Sequence, residues 1–220
     1  MPQNETGMRF ALCSLIPLKY DLSESNGRWR MANMQNAMDA LAADPARYDE
    51  LILVDGLDRP IGAASKMQAH VEGLMHRAFS VVLTREGDDG LELLLAKRSL
   101  LKYHSGGLWA NSCCSHPRVG EDVIEAAYRR VPEEIGCEAQ GLREICAFAY
   151  RAEFDNGLCE HEFDHVLVGR CAGEIVPNPA EASETRWIGT EELAAELVAH
   201  PEHFAVWVPI VLTLTVAHES

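Results

Sequence analysis

Apolar and polar positions fall into regular patterns only after about the first fifty residues. From Glu50, the stretch LILVDGLDRPIGAASK is an apolar run broken at Asp55-Gly56 and followed by a short extended piece. It predicts a strand, a tight turn and a second strand. His76 to Thr84 (HRAFSVVLT) and Leu91 to Lys97 (LELLLAK) are near-continuous apolar runs on either side of the turn-rich segment Arg85 to Gly90. They predict a hairpin buried on both faces. Over Glu121 to Ile135 the period changes to that of a helix, with Val123, Ala126, Ala127, Tyr128, Val131 and Ile135 on roughly one side and Gly136 as the stop. Pro132 lies inside it, and an interior proline costs about 3 kcal/mol relative to alanine, so a kink or a shortened last turn is expected. Ile145 to Glu153 and Glu162 to Arg170 predict strands joined by the polar loop Phe154 to Cys159, and Thr185 to Ile188 predicts another. Thr190 starts a helix that His200-Pro201 stops, and Val208 to Ala217 forms a last helix in which Pro209 is tolerated early. The sum is an α/β domain over residues 48–220, a mixed β-sheet flanked by helices. Residues 1–47 lack a sustained period outside MANMQNAMDALAA and predict a mobile extension with one docked helix.

Composition narrows the class. Of 220 residues, 47% are hydrophobic and 24% charged, as in an ordinary soluble globular protein. The 19 basic residues face 34 acidic ones, a net charge of −15. That field argues against nucleic acid, and any anionic ligand must be held by a local basic cluster or by metal ions. Seven cysteines without a CxxC pair suggest neither a disulfide framework nor a ribbon-type zinc site, which points to a reducing cytoplasm. The longest apolar stretches, Ala11 to Leu18 and Val206 to Ala217, are shorter than the roughly 18 residues that span a bilayer, so no membrane segment is expected.

The candidate chemistry lies in Leu108 to Gly136, where Cys113, Cys114 and His116 precede the helix that ends in Glu133 and Glu134. Taken singly, His70, His76 and His116 read as surface or hydrogen-bonded histidines, and Cys114 as a small buried hydrophobe. Glu160 and Glu162 share one strand face, yet paired carboxylates are commonly a solvated edge. Together the three histidines and two glutamates make a nitrogen and oxygen set suited to Mn²⁺, Zn²⁺ or Mg²⁺. Glu134 offers a hard oxygen ligand for a second ion shared with phosphate. Arg98, Lys102, Arg129 and Arg130 supply the basic cluster that the acidic whole demands, although Arg129 equally suits a partner among the surface acids.

These residues resemble the type I isopentenyl-diphosphate isomerases of the Nudix superfamily, from about Leu51 to Leu212. Trp109-Ala-Asn-Ser-Cys-Cys-Ser-His-Pro117 is similar to the isomerases' cysteine motif. The Nudix box, GX5EX7REUXEEXGU with U aliphatic, survives in part. Ser115 stands for the first glycine and Arg130 for the first glutamate, while Glu121, Arg129, Glu133, Glu134 and Gly136 match. The resemblance implies a Nudix-like fold and conversion of isopentenyl diphosphate to dimethylallyl diphosphate in isoprenoid biosynthesis. It implies Cys114, Glu162 and Tyr150 as catalytic residues, and Lys66, Arg98, Lys102, Arg130 and Trp207 as substrate contacts. His70, His76, His116, Glu160 and Glu162 would hold one Mn²⁺, Mg²⁺ or Zn²⁺, and Glu134 the Mg²⁺ that binds the diphosphate. The partner is then a small prenyl diphosphate, and a monomer is expected. In this reading Glu162, assisted by Tyr150, delivers a proton and Cys114, as thiolate, removes one, with the two labels exchangeable. The alternative is a Nudix hydrolase of a nucleotide or prenyl diphosphate that binds its metals through Glu133 and Glu134.

Overall fold

The computed structural model describes residues 50–219. The expected extension over 1–47 and its helix lie outside them. The first two strands, β1 (Glu50–Val54) and β2 (Pro60–Ser65), form the expected antiparallel hairpin. A short helix that no periodicity announced, α1 (Lys66–Glu72), follows at once. Ser65 caps its start by accepting from the Gln68 amide, and Gly73, at φ 63°, ends it in the left-handed conformation.

β3 (His76–Gly87) and β4 (Gly90–Arg98) extend almost to meet at a tight turn, and two three-residue strands follow, β5 (Trp109–Asn111) and β6 (Cys113–Ser115). The helix α2 (Val123–Ile135) leads into the long pair β7 (Glu138–Glu153) and β8 (Cys159–Ala172), and then to β9 (Ala182–Gly189). Two further helices, α3 (Thr190–Ala199) and α4 (Val208–Glu219), close the described chain. β3 runs parallel to β8 from His76–Glu162 to Thr84–Arg170, while the other pairings are antiparallel, so the sheet is mixed as expected.

Each central strand buries both faces. On β3, Phe79, Val81 and Leu83 turn toward α2 while Val82 turns toward α3 and α4; on β4, Leu94 and Ala96 oppose Leu93 and Leu95 in the same way. This is why these strands read as apolar runs rather than as an alternation. α2 does not shorten at Pro132. It runs to Ile135, and the amide of Gly136 closes it on the Pro132 carbonyl. Pro132 sits on the exposed side of the helix between exposed Tyr128 and Glu133, so the carbonyl deprived of its amide donor faces water.

Candidate active site

The β3–β8 pairing sets His76 beside Glu162, and the two-residue repeat of β8 puts Glu160, Glu162 and Asp164 on one face. α1 brings in His70, and the chain leaving β6 brings in His116. His70 Nε2 lies 3.2 Å from Glu160 Oε2, and His76 Nε2 lies 3.9 Å from the same oxygen and 3.7 Å from Glu162 Oε1. His116 Nε2 is 3.0 Å from Glu162 Oε1. Two of the rings are held from behind. Nδ1 of His70 donates to the Lys66 carbonyl at 2.6 Å, and Nδ1 of His76 to the Leu74 carbonyl at 2.8 Å. In the neutral rings this turns the Nε2 lone pairs toward the carboxylates. Lone pairs and carboxylates that face one another repel unless a cation lies between them. His76 Nε2 and Glu160 Oε2 are, moreover, buried without a hydrogen-bond partner. Both observations fit a metal ion held by this buried His/Glu set.

His104, which sequence reasoning passed over, completes the set from behind: its Nε2 lies 2.6 Å from Glu160 Oε1. Burial pushes His104 down to about 4 and His116 down to about 3. An unfolded histidine titrates near 6.5, so between about pH 6.5 and 4 the unfolded chain binds protons that the folded one refuses. Stability therefore rises with pH in that window and is lost as pH falls. His76 moves the other way: burial works against it, but the facing Glu162 and Glu160 carboxylates and the Leu74 carbonyl outweigh burial. Its contribution is already complete below pH 6.5 and adds no slope in the window. For the metal-free protein, unfolding free energies measured from pH 7 to 4 are expected to fall with pH, the two histidines together outweighing the opposite contribution of Asp164, whose carboxyl burial pushes well above its ordinary range. A flat profile would contradict the burial of these two rings.

The thiol belongs to a second cluster. The β3–β6 register sets Cys114 against Ser80, and Cys114 Sγ donates to Asn111 Oδ1 at 3.0 Å. The same oxygen accepts from Trp207 Nε1 at 3.2 Å, while Asn111 Nδ2 donates to the carbonyls of Val81 and Cys113 at 3.1 and 3.0 Å. The amide is thus saturated, and its orientation follows from its partners. Asn111→Leu is expected to cost about 2–4 kcal/mol in chemical denaturation, because two carbonyls and an indole N–H lose their partner together. A loss below about 0.5 kcal/mol would mean that the network carries no stability.

Burial, reinforced by nearby Asp164, pushes the Cys114 thiol up to about 12, so at neutral pH it keeps its proton. This apolar setting favours the neutral thiol, which suits the exchanged assignment of the acid and base labels. Glu162 is a carboxylate held down at about 2: burial and Glu160 oppose its charge, but the histidine bonds prevail. The Tyr150 hydroxyl donates to Glu162 Oε2 at 2.6 Å. Cys114, Tyr150, Glu162, Trp207, Lys66, Arg98 and Lys102 line one cleft of about 440 Å³.

Lys66 begins α1, and its ammonium is pushed down to about 8 by burial and by Lys102. The Arg98 guanidinium sits 5.1 Å from the centre of a Trp207 ring. Arg130 Nη2 donates to Glu134 Oε1 at 2.7 Å and to Glu181 Oε1 at 3.1 Å, while Nη1 donates to Glu133 at 2.7 Å. Glu134 is not brought into the His/Glu set. It lines an adjoining hollow of about 280 Å³ with Arg98, Lys102, Cys113 and Glu181. Arg129 leaves the basic cluster altogether, donating twice to Glu121 at 2.8 and 2.7 Å and bracing the start of its own helix.

The sequence pattern of the NUDIX domain family matches residues 74–208. The isopentenyl-diphosphate Delta-isomerase of Photobacterium profundum is 48% identical over 166 residues, 74% of this chain and 92% of that protein. The enzyme of the same description from Burkholderia multivorans is 49% identical over 159 residues, 72% of this chain and 88% of that protein. Among solved structures, DR0079 from Deinococcus radiodurans superposes with a TM-score of 0.59 at 21% identity, covering 76% of this chain and 98% of that one. At that identity the likeness speaks for the fold.

Proposed function

This chain belongs to the isopentenyl-diphosphate Delta-isomerases of the NUDIX domain family, and from that premise we propose how its own residues move the double bond of isopentenyl diphosphate to give dimethylallyl diphosphate. The reaction adds a proton to the terminal alkene carbon and removes one from the carbon on the far side of the substituted centre. An unactivated alkene is a very poor base, and its protonation makes a tertiary cation. The site must therefore exclude water, present one proton-bearing group and one acceptor, and tolerate positive charge.

The observation that carries the reading is a thiol bonded to Asn111 and a carboxylate bonded to Tyr150 lining one cleft. Cys114, with its S–H on Asn111, is the proton donor. Glu162 is the acceptor, with the Tyr150 hydroxyl on its second oxygen. After a turnover the Cys114 thiol has become a thiolate and the Glu162 carboxylate has gained a proton, and proton exchange once product has left restores the resting pair. Trp207, 3% exposed, closes the cleft to water and offers a π face to the cation, an effect worth about 2 kcal/mol or more when desolvated. Lys66, Arg98, Lys102 and Arg130 bind the diphosphate.

His70, His76, His116, Glu160 and Glu162 would hold one Mn²⁺, Mg²⁺ or Zn²⁺, and Glu134 would hold the Mg²⁺ that comes with the diphosphate. An ion in the His/Glu set supplies Lewis acidity and fixes the carboxylates. The six cysteines among the described residues are free thiols, which supports a reducing, cytoplasmic setting. No helix among the described residues is long and apolar enough to cross a membrane.

Incubating the protein with isopentenyl diphosphate and Mg²⁺ and following the methyl signals by NMR is expected to give the dimethylallyl isomer. Release of inorganic phosphate or pyrophosphate in its place would overturn the reading in favour of hydrolysis.

A further inference from the structure

Between β8 and β9 the chain crosses the end of α2 in a loop, residues 173–181, whose course is fixed by backbone contacts. Val176 N donates to the Ile135 carbonyl and Asn178 N to that of Glu134. Gly136 packs so closely that a Cβ there would lie 2.1 Å from the Val176 carbonyl oxygen. The Asn178 side chain spans the same junction, reaching the Glu133 carbonyl at 3.3 Å and receiving the Ala180 amide at 3.0 Å. The turn this creates ends with the Glu181 and Ala182 amides on the Asn178 carbonyl, and the Ser99 amide on the Glu181 carbonyl.

The result is a carboxylate set between two cations that reach it from different elements. Glu181 Oε2 accepts from Lys102 Nζ, and Glu181 Oε1 from Arg130 Nη2 at 3.1 Å. The three side chains are only 17–21% exposed, so water screens them weakly. Lys102 and Arg130 are two of the four cations assigned above to the diphosphate.

We propose that Glu181 is a built-in counter-ion that occupies Lys102 and Arg130 when no substrate is bound and competes with the diphosphate for them, thereby setting how tightly substrate and product are held. This rests on the assignment of Lys102 and Arg130 as diphosphate contacts. Arg130 keeps Glu133 and Glu134 as partners in any case, but Lys102 draws its ion pair from Glu181, and a largely buried ammonium beside a guanidinium would be costly without that carboxylate. The carboxylate removes that cost in the empty site and withholds the same amount from ligand affinity. Substrate and product carry the same diphosphate, so the competition weakens both alike and favours product release.

Binding of inorganic pyrophosphate with Mg²⁺, measured by calorimetry, tests this on the whole chain. Glu181→Gln is expected to tighten pyrophosphate about tenfold, and to lower the KM for isopentenyl diphosphate in step with stronger inhibition by the dimethylallyl product. Glu181→Ala serves as the second variant and is expected to shift in the same direction. Lys102→Met, run in parallel, is expected to weaken pyrophosphate about tenfold. If Lys102→Met weakens binding while both Glu181 variants bind the same or more weakly, Glu181 is not a competitor and the proposal fails. If Lys102→Met leaves binding unchanged, it is the diphosphate assignment of Lys102 that fails.

Discussion

Cys114→Ala is expected to slow isomerisation by at least about a thousandfold while leaving Mg²⁺-pyrophosphate binding within a few-fold of the parent. Loss of a positioned acid or base typically costs 10²- to 10⁴-fold, and no neighbour is placed to take over. Ser80 Oγ, 3.9 Å from Cys114 Sγ, gives its own proton to Asp164 at 2.8 Å. Cys113 faces the opposite cluster, against Val131 and Ile135, and is 1% exposed. The basic residues at the mouth of the cleft are untouched by the change, so the loss belongs in kcat and not in KM. Progress curves followed by NMR, with pyrophosphate titrated in parallel, separate the two. Near-normal turnover by the alanine variant would remove Cys114 from the mechanism.

Glu160→Gln is expected to abolish retention of the metal after dialysis and to lower turnover by at least about a hundredfold. The Glu160 carboxylate meets three imidazoles, those of His70, His76 and His104. The uncharged amide offers one acceptor where there were two oxygens, and its NH₂ would donate to imidazole lone pairs that an ion would otherwise take. Glu160 itself lies well below the usual carboxylate range: burial opposes its charge, and His70 and His104 more than compensate. Elemental analysis of the dialysed protein checks the first half and the isomerase assay the second. An unchanged metal content with intact activity would show that this cluster is not the metal's site.

Much of this was legible in the sequence because the signals were long or chemically distinctive. β3 and β4 read as buried strands because both faces are covered, and α2 because its apolar positions recur at helical spacing. α1, β5 and β6 left no trace because seven- and three-residue elements are too short for any period to register. His70 and Cys114, which ride on α1 and β6, were therefore visible as residue types in a motif but not as placed side chains. Asp164 continues the same two-residue spacing as Glu160 and Glu162, a signal that would have found it. His104 and Glu181 had none, since each sits in a loop whose course depends on distant backbone contacts. Arg129 was left between the basic cluster and a surface acid because spacing along a helix does not reveal which acid lies across from it, and the partner is Glu121. Pro132 was weighed for its missing amide hydrogen but not for the side of the helix on which the gap would open.

The pairing of β3 with β8 also has a consequence for synthesis. The two strands join residues far apart in the chain; Ser80 and its partner Asp164 are separated by 84 positions. A nascent chain displays His70, His76, His104 and His116 well before Glu160 and Glu162 emerge from the ribosome. Until then the imidazoles have no carboxylates to face, and β3 lacks the partner that covers it from His76 to Thr84. Long-range pairing of this kind is slow and leaves an open strand edge meanwhile. The His/Glu cluster is therefore completed late, by the arrival of β8, and the sheet later still, by β9 on β4.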